Sequence, residues 1–286
     1  PIQAIPLVES GAADAFGLTP QEIAVACGSH SGEQVHVDAV REMLGRAGLR
    51  PEDLRNGPPE SPGEERLRQN CSGNHAGLMI AARHLGLDVP SYVKSDHPLQ
   101  VTIRGLHAQL AGIDVNEVTV GIDGCSVPAF ALSLEEMARA YGRFADPAYA
   151  ESSGGARGEA IARLSGVMMA QPLMVAGTNS EDTDLMGAAP GQVCCKVGAE
   201  SVWCFGFPGR GGAAIKVEDG AARPRSVIAV EMLRQAELLP APAVDAYAAR
   251  HVTPTVDARG QVTGQMRPAF RLRVPGPAGL SAPRRR

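Results

Sequence analysis

The chain has 286 residues, with 27 basic and 31 acidic side chains and a formal net charge of −4. That length is ample for one large α/β domain with a real core. The mildly acidic balance, the few aromatics (six Phe, four Tyr, one Trp) and the lack of a basic stripe argue against nucleic acid as a partner. No stretch approaches the roughly 18 to 20 apolar residues that span a bilayer, and the first residues lack the order of a signal peptide. No membrane partner and a cytoplasmic location are therefore expected. The six cysteines are spread along the chain rather than set in a short framework, so reduced thiols are the expectation.

In chain order, Ile5, Val8, Ala12 and Phe16 fall on one helical face that Gly17 closes. Pro1 is not an initiator residue, and the chain opens inside this pattern, which points to sequence upstream. Thr19-Pro20 then starts a helix, "TPQEIAVAC", with an N-cap and a proline in its first turn. It delivers the chain to "GSHSGE", and "EQVHVDAVREMLGRAGL" reads as a third helix. Residues 50 to 70, rich in proline and charge, read as a loop. At residues 71 to 77, "CSGNHAG" opens another helix, with Ser72 as its N-cap. "HPLQVTIRGLHAQLAG" is helical again.

The period then changes. "EVTVGI" alternates like a strand and delivers Asp123-Gly124-Cys125-Ser126 at its end. "LEEMARAYGRFA" is an amphipathic helix, residues 146 to 157 a small-residue loop, and "EAIARLSGVMMAQP" and "TDLMGAAP" further helices. The last third reads strand "QVCCKVGAE", strand "SVWCFGF", turn "PGRGG", strand "AAIKVEDG" and helix "VIAVEMLRQAELL". Strands in series imply an antiparallel sheet flanked by helices. The expected class is α/β (α+β), with the helix-rich middle as a helical subdomain.

Several motifs carry chemistry beside a plainer structural reading. "GSHSGE" sets two hydroxyls and an imidazole where a helix ends; a cap and turn would use Ser31 or Gly32, while Ser29 is the candidate nucleophile. A serine needs a base, and Lys196 in "CCKVGAE" follows an apolar run in which desolvation favours the neutral amine. An edge-strand lysine pointing to water is the alternative. Cys71 and Cys125 each sit in a polar, glycine-containing loop and would bind a metal if further ligands converge; buried inert cysteine is the alternative. "PGRGG" is an anion nest or a hairpin turn, and "GTNSEDTD" a capped helix start or a ligand loop.

Taken together and in order, "IPLVESGAADAFGL", "CGSHSGEQVHV", "NCSGNHAGLM", "DHPLQ", "GIDGCSVPAFALSLEEMARAYGRFA", "LMVAGTNSEDTDLM" and "KVGAESVWCFGFPGRGGAAIKVEDG" resemble the asparaginase II family, the Rhizobium-type or class 3 L-asparaginases. The resemblance runs from Pro1 to about Pro268. It implies a fold similar to serine β-lactamases and glutaminases, one asparaginase II-like domain over residues 1–286 with a flexible tail from about 269, and a homodimer. It also implies hydrolysis of the L-asparagine side-chain amide to aspartate and ammonia by serine-lysine acyl transfer.

By the same resemblance, Ser29 and Lys196 form a catalytic pair, Cys71 and Cys125 hold zinc beside the substrate, and His75, Asp123 and Gly124 line the substrate pocket. Two departures stand out. The family's Ser-x-x-Lys motif would end immediately before Pro1, so that pair is not in this chain. Asn74 replaces a lysine that helps bind zinc, and a neutral amide is a poor zinc ligand, so weakened metal binding is expected. A protein that keeps the pocket and binds a small amino acid without turnover is the alternative these departures imply.

Overall fold

Local capping sets several helix starts. Thr19 Oγ1 accepts the Glu22 N–H at 3.3 Å while the Glu22 carboxylate takes the Thr19 N–H at 2.7 Å, a reciprocal box that opens helix Pro20–Ala26. Ser133 and Glu136 do the same for helix Leu134–Ala145. The computed structural model describes residues 1–273. Helices Gln34–Arg46, Ser72–His84, Pro98–Ala111, Gly155–Ala170, Glu181–Ala188 and Arg225–Gln235 fall where the patterns place them, and a further helix, Ala241–His251, follows.

The strands pair antiparallel throughout. A hairpin joins β1 (Thr119–Ile122) to β2 (Pro128–Ala131). A three-stranded sheet has the order β3 (Cys194–Gly198), β4 (Val202–Phe207), β5 (Gly211–Lys216), with Lys196 opposite Cys204. A small ribbon, β6 (Thr255–Val256) with β7 (Val262–Gly264), ends the described chain. The class is thus α+β, with small antiparallel sheets and many helices. Helix Leu134–Ala145 packs on β4 and β5. Trp203, fully buried, meets Tyr247 of helix Ala241–His251 with ring centroids 5.9 Å apart.

Helix Ser72–His84 is buried at every residue from Ser72 to Ala82. A helix apolar around most of its girth belongs inside a fold, and this one carries the polar "CSGNHAG" into the interior. Among the described residues, no helix is long and apolar enough to cross a membrane.

Four details differ from the sequence reading. The first helical stretch is broken into a 3-10 turn, Ile2–Ala4, and short helices Ile5–Glu9 and Ala12–Ala15, because Gly11 adopts a left-handed φ of 82°. Residues 50 to 70 contain the 3-10 turn Pro51–Asp53 and helix Gly63–Arg68. Residues 147–153 form a helix capped by Asp146, which accepts the Ala148 N–H at 3.1 Å. Ser72 is not an N-cap: Cys71 holds that position, and the Ser72 hydroxyl turns back to donate to Leu67 O at 2.8 Å. The tail expected from about 269 lies, from residue 274 onward, outside the described residues; Gln235 bonds the backbone at Phe270 and Leu272.

Candidate active site

Helix Pro20–Ala26 ends at Cys27, and the next residues run extended between two neighbours. Ser29 N–H donates to Val175 O at 3.0 Å and His30 N–H to Asn70 O at 2.9 Å. A side chain at Gly28 would place Cβ 2.1 Å from Val175 O, so only glycine allows this approach. The same holds at Gly73, where a Cβ would lie 2.5 Å from Val25 O. Gly28 thus lets "GSHSGE" run against Val175, and Gly73 lets the "CSGNHAG" helix press on helix Pro20–Ala26.

His30 locks them together. The Ser72 hydroxyl donates to Leu67 O, so it must accept from His30 Nε2–H at 3.0 Å; the other ring nitrogen, Nδ1, accepts the Gly32 N–H at 3.1 Å. A neutral ring satisfies both bonds and a protonated one does not. Burial, with His36 stacked at 4.8 Å and Lys196 nearby, holds His30 down from 6.5 to about 3. A histidine depressed in the folded state stabilises the protein above its unfolded value and loses that contribution as pH falls below 6.5 toward about 3. The unfolding free energy of the parent is therefore expected to fall faster with acid than that of His30→Gln, by up to about 1.4 kcal/mol per pH unit. Chemical denaturation at stepped pH checks this; parallel curves for the two proteins between roughly pH 6 and pH 4 would count against the buried neutral ring.

Glu33 clamps the same loop to residues 177–180. It accepts from Ser31 Oγ at 2.5 Å, Thr178 N at 2.7 Å and Thr178 Oγ1 at 2.8 Å. These bonds pull its carboxyl down to about 2, with the Ser31 bond first.

A cavity of about 600 Å³ opens where these loops meet the β1–β2 turn and the edge of β3. Ser29, Cys71, Asn74, Asp123, Cys125 and Lys196 all line it. A smaller apolar cavity of about 260 Å³ adjoins it and shares Ser29 and Lys196. Two of the expected substrate residues lie elsewhere: His75 is fully buried and Gly124 is exposed on the turn, and neither lines the larger cavity.

Lys196 is buried, at 8 % exposure, and does not point to water. Its Nζ donates to Val197 O at 2.6 Å and lies 3.5 Å from Asp182 Oδ2. Among the described residues no direct hydrogen bond joins it to Ser29. Asp182, 1 % exposed, also accepts the Val197 N–H with both oxygens, at 3.0 and 2.9 Å, and Trp203 Nε1–H at 2.8 Å. β3 is a sheet edge, so Val197 N–H has no strand partner on that side and the carboxylate supplies one. The sequence reading missed Asp182, although a lysine on an apolar strand is itself the signal that a buried carboxylate must be near.

At the other wall the β1–β2 turn folds Cys125 back onto Asp123. Cys125 N–H and Sγ–H both donate to Asp123 Oδ2, at 3.4 and 3.0 Å. Cys71 Sγ, Cys125 Sγ and an Asp123 carboxylate oxygen all lie within 4.8 Å of one another. The neighbouring Cys125 thiol draws Cys71 below the ordinary thiol value, and Lys196 and Ser29 add to this; the Cys71 thiol, with burial, pushes Cys125 up. The pair therefore gives up its first proton readily and its second reluctantly. All six cysteines are free thiols. Two sulfurs and a carboxylate converging on one point are a donor set that fits a borderline-soft cation such as zinc.

The family model described as L-asparaginase II matches residues 1–268. The chain belongs to the L-asparaginase II family, and asparaginase-type amide hydrolysis is the activity that membership carries. None of the curated proteins compared with the chain matches it significantly.

Proposed function

We propose that the protein is an L-asparaginase that cleaves the side-chain amide of L-asparagine through an ester on Ser29. The observation that carries this reading is the shared cavity, in which Ser29 and Lys196 face the same space as Cys71, Cys125 and Asp123. Ser29 Oγ attacks the carboxamide carbon, and its proton passes to Lys196 as the neutral amine. The tetrahedral adduct collapses, the carbon–nitrogen bond breaks, and Lys196 returns the proton to the departing ammonia. Water then enters the vacated space, gives a proton to Lys196 and hydrolyses the aspartyl ester, which regenerates Ser29 and releases aspartate. Asp182 fixes the Lys196 side chain and balances its charge whenever it carries the proton.

Asp123 serves substrate recognition. Its Oδ2 is taken by Cys125, which leaves Oδ1 to pair with the α-ammonium group of the amino acid. Cys71 and Cys125 would hold zinc, whose chemistry when bound is Lewis-acid polarisation of a carbonyl oxygen. Binding without turnover is a second reading, favoured by one observation: Lys196 Nζ is bonded to Val197 O and Asp182 rather than to Ser29.

Steady-state ammonia release separates the two readings. The purified protein is expected to release ammonia from L-asparagine with equimolar aspartate, and less efficiently from L-glutamine, whose extra methylene displaces the carboxamide from Ser29. Saturable binding of asparagine with no ammonia above the uncatalysed rate would leave only the second reading standing.

A further inference from the structure

Position 74 raises a question that the thiol pair alone does not answer. Two sulfurs are too few to hold zinc firmly, and the family resemblance places the next ligand at a residue that here is Asn74. The Asn74 side chain lines the cavity, is only 4 % exposed, and makes no hydrogen bond among the described residues. It is a polar group facing the site without a partner, and its neutral oxygen is a much weaker zinc donor than a carboxylate.

Asp123 is the stronger donor and is already in place. Its Oδ2 takes the Cys125 thiol proton at 3.0 Å, the bond expected when a proton occupies the position a cation would take between the two groups. An Asp123 oxygen and both sulfurs converge within 4.8 Å. The turn that achieves this is fixed by its backbone: Asp123 N–H donates to Val127 O and Ser126 N–H to Asp123 O, both at 2.9 Å, with Ser126 at a left-handed φ of 77°.

His75 supplies an independent observation. Arg55 N–H donates to Tyr92 Oη at 2.9 Å, and His75 Nδ1 is hydrogen-bonded to the same hydroxyl at 2.5 Å. The other ring nitrogen, Nε2, is fully buried and has no hydrogen-bond partner, and the ring acts on the Cys125 thiol. That interaction favours the thiolate, the form that binds a metal.

We infer that Asp123, and not residue 74, is the third protein ligand of a zinc site formed with Cys71 and Cys125, supported by His75 and open at its fourth position to the cavity. Three protein ligands with one open position is the arrangement of catalytic rather than structural zinc. This inference rests on the proposed placement of zinc at the thiols, and its test reads metal binding directly.

The test is competition for zinc between the purified full chain and a chromophoric chelator, together with the visible spectrum of the cobalt(II) form, for the parent, Asp123→Asn, Asp123→Glu and Asn74→Ala. Circular dichroism checks that each is folded. The parent is expected to bind one equivalent; Asp123→Asn to bind at least about tenfold more weakly, Asp123→Glu to recover part of the loss, and Asn74→Ala to stay within about threefold of the parent. The intense visible bands of four-coordinate cobalt should fade in Asp123→Asn and persist in Asn74→Ala. Parent-like affinity in both Asp123 variants, a loss in Asn74→Ala instead, or no zinc bound by the parent overturns the ligand assignment. Ammonia release by a parent that binds no zinc would overturn the assignment and leave asparagine hydrolysis standing. Tight zinc binding with the expected variant order but no ammonia release would support the assignment and remove the reaction.

Discussion

Ser29→Ala is expected to lower kcat for ammonia release from L-asparagine by about 10³-fold or more while leaving the protein folded. Ser29 is held by its backbone, through Ser29 N–H to Val175 O and the close approach of Gly28, and alanine preserves both. The change removes only the hydroxyl that faces the cavity beside Cys71 and Lys196. In the proposed reaction that hydroxyl acts on the reacting carbon rather than on the amino-acid groups, so KM should move far less than kcat. Cys71 is the rival nucleophile, since its thiol lines the same cavity. Parent-like turnover by Ser29→Ala would transfer the role to that thiol.

The largest effect on stability is expected at Asp182. Its carboxylate is 1 % exposed, pairs with the buried Lys196, and accepts from Val197 N–H and Trp203 Nε1–H. Asp182→Ala removes the carboxylate that Lys196 faces and leaves two buried N–H donors without acceptors, which costs about 3 kcal/mol or more. Asp182→Asn keeps the shape and one acceptor oxygen, so about 1 to 2 kcal/mol should be lost. Equilibrium denaturation of the three proteins measures both. An alanine variant within about 0.5 kcal/mol of the parent would mean that the pair contributes nothing to the fold.

What the sequence shows clearly is what local chemistry decides. The Thr19–Glu22 and Ser133–Glu136 boxes mark helix starts because both partners lie three residues apart. β1 and the β3–β4–β5 meander follow from alternation and turn residues, whereas β2 (Pro128–Ala131), short and opened by a proline, goes unread. Residues 50 to 70 read wrongly because their order comes from a single inward-turned side chain of the segment itself. Arg66 is buried and donates to Leu54 O at 2.6 Å, Glu52 O at 2.8 Å and Pro59 O at 2.6 Å, so one guanidinium folds a segment that looks like a solvated loop. "GEERLR" carries the helix that positions it, yet its charges disguise the one that points inward.

The candidate site divides in the same way. Ser29, Cys71, Asp123, Cys125 and Lys196 are visible as reactive groups in glycine-bearing segments or on an apolar strand, and all five line one cavity. His75 and Gly124 stand beside those residues in sequence but point elsewhere, since neighbours on a helix or a turn face different directions. His75 is instead hydrogen-bonded to Tyr92, 17 positions away in the chain. Asp182 is hidden among the acids of "NSEDTD", where Glu181 and Asp184 look equally suited to a helix start. Only the tertiary fold selects the one that meets Lys196.

The ester on Ser29 is the centre of the account and is directly observable. The protein is mixed with saturating L-asparagine, quenched in acid within milliseconds to seconds, and its peptides are mapped by mass. A fraction of the chain carrying one aspartyl group, located on the peptide that contains Ser29 and absent from Ser29→Ala, is the predicted result. An aspartyl group on Cys71, or ammonia release with no acylated serine at any quench time when ester hydrolysis is slowed at low temperature, would contradict it.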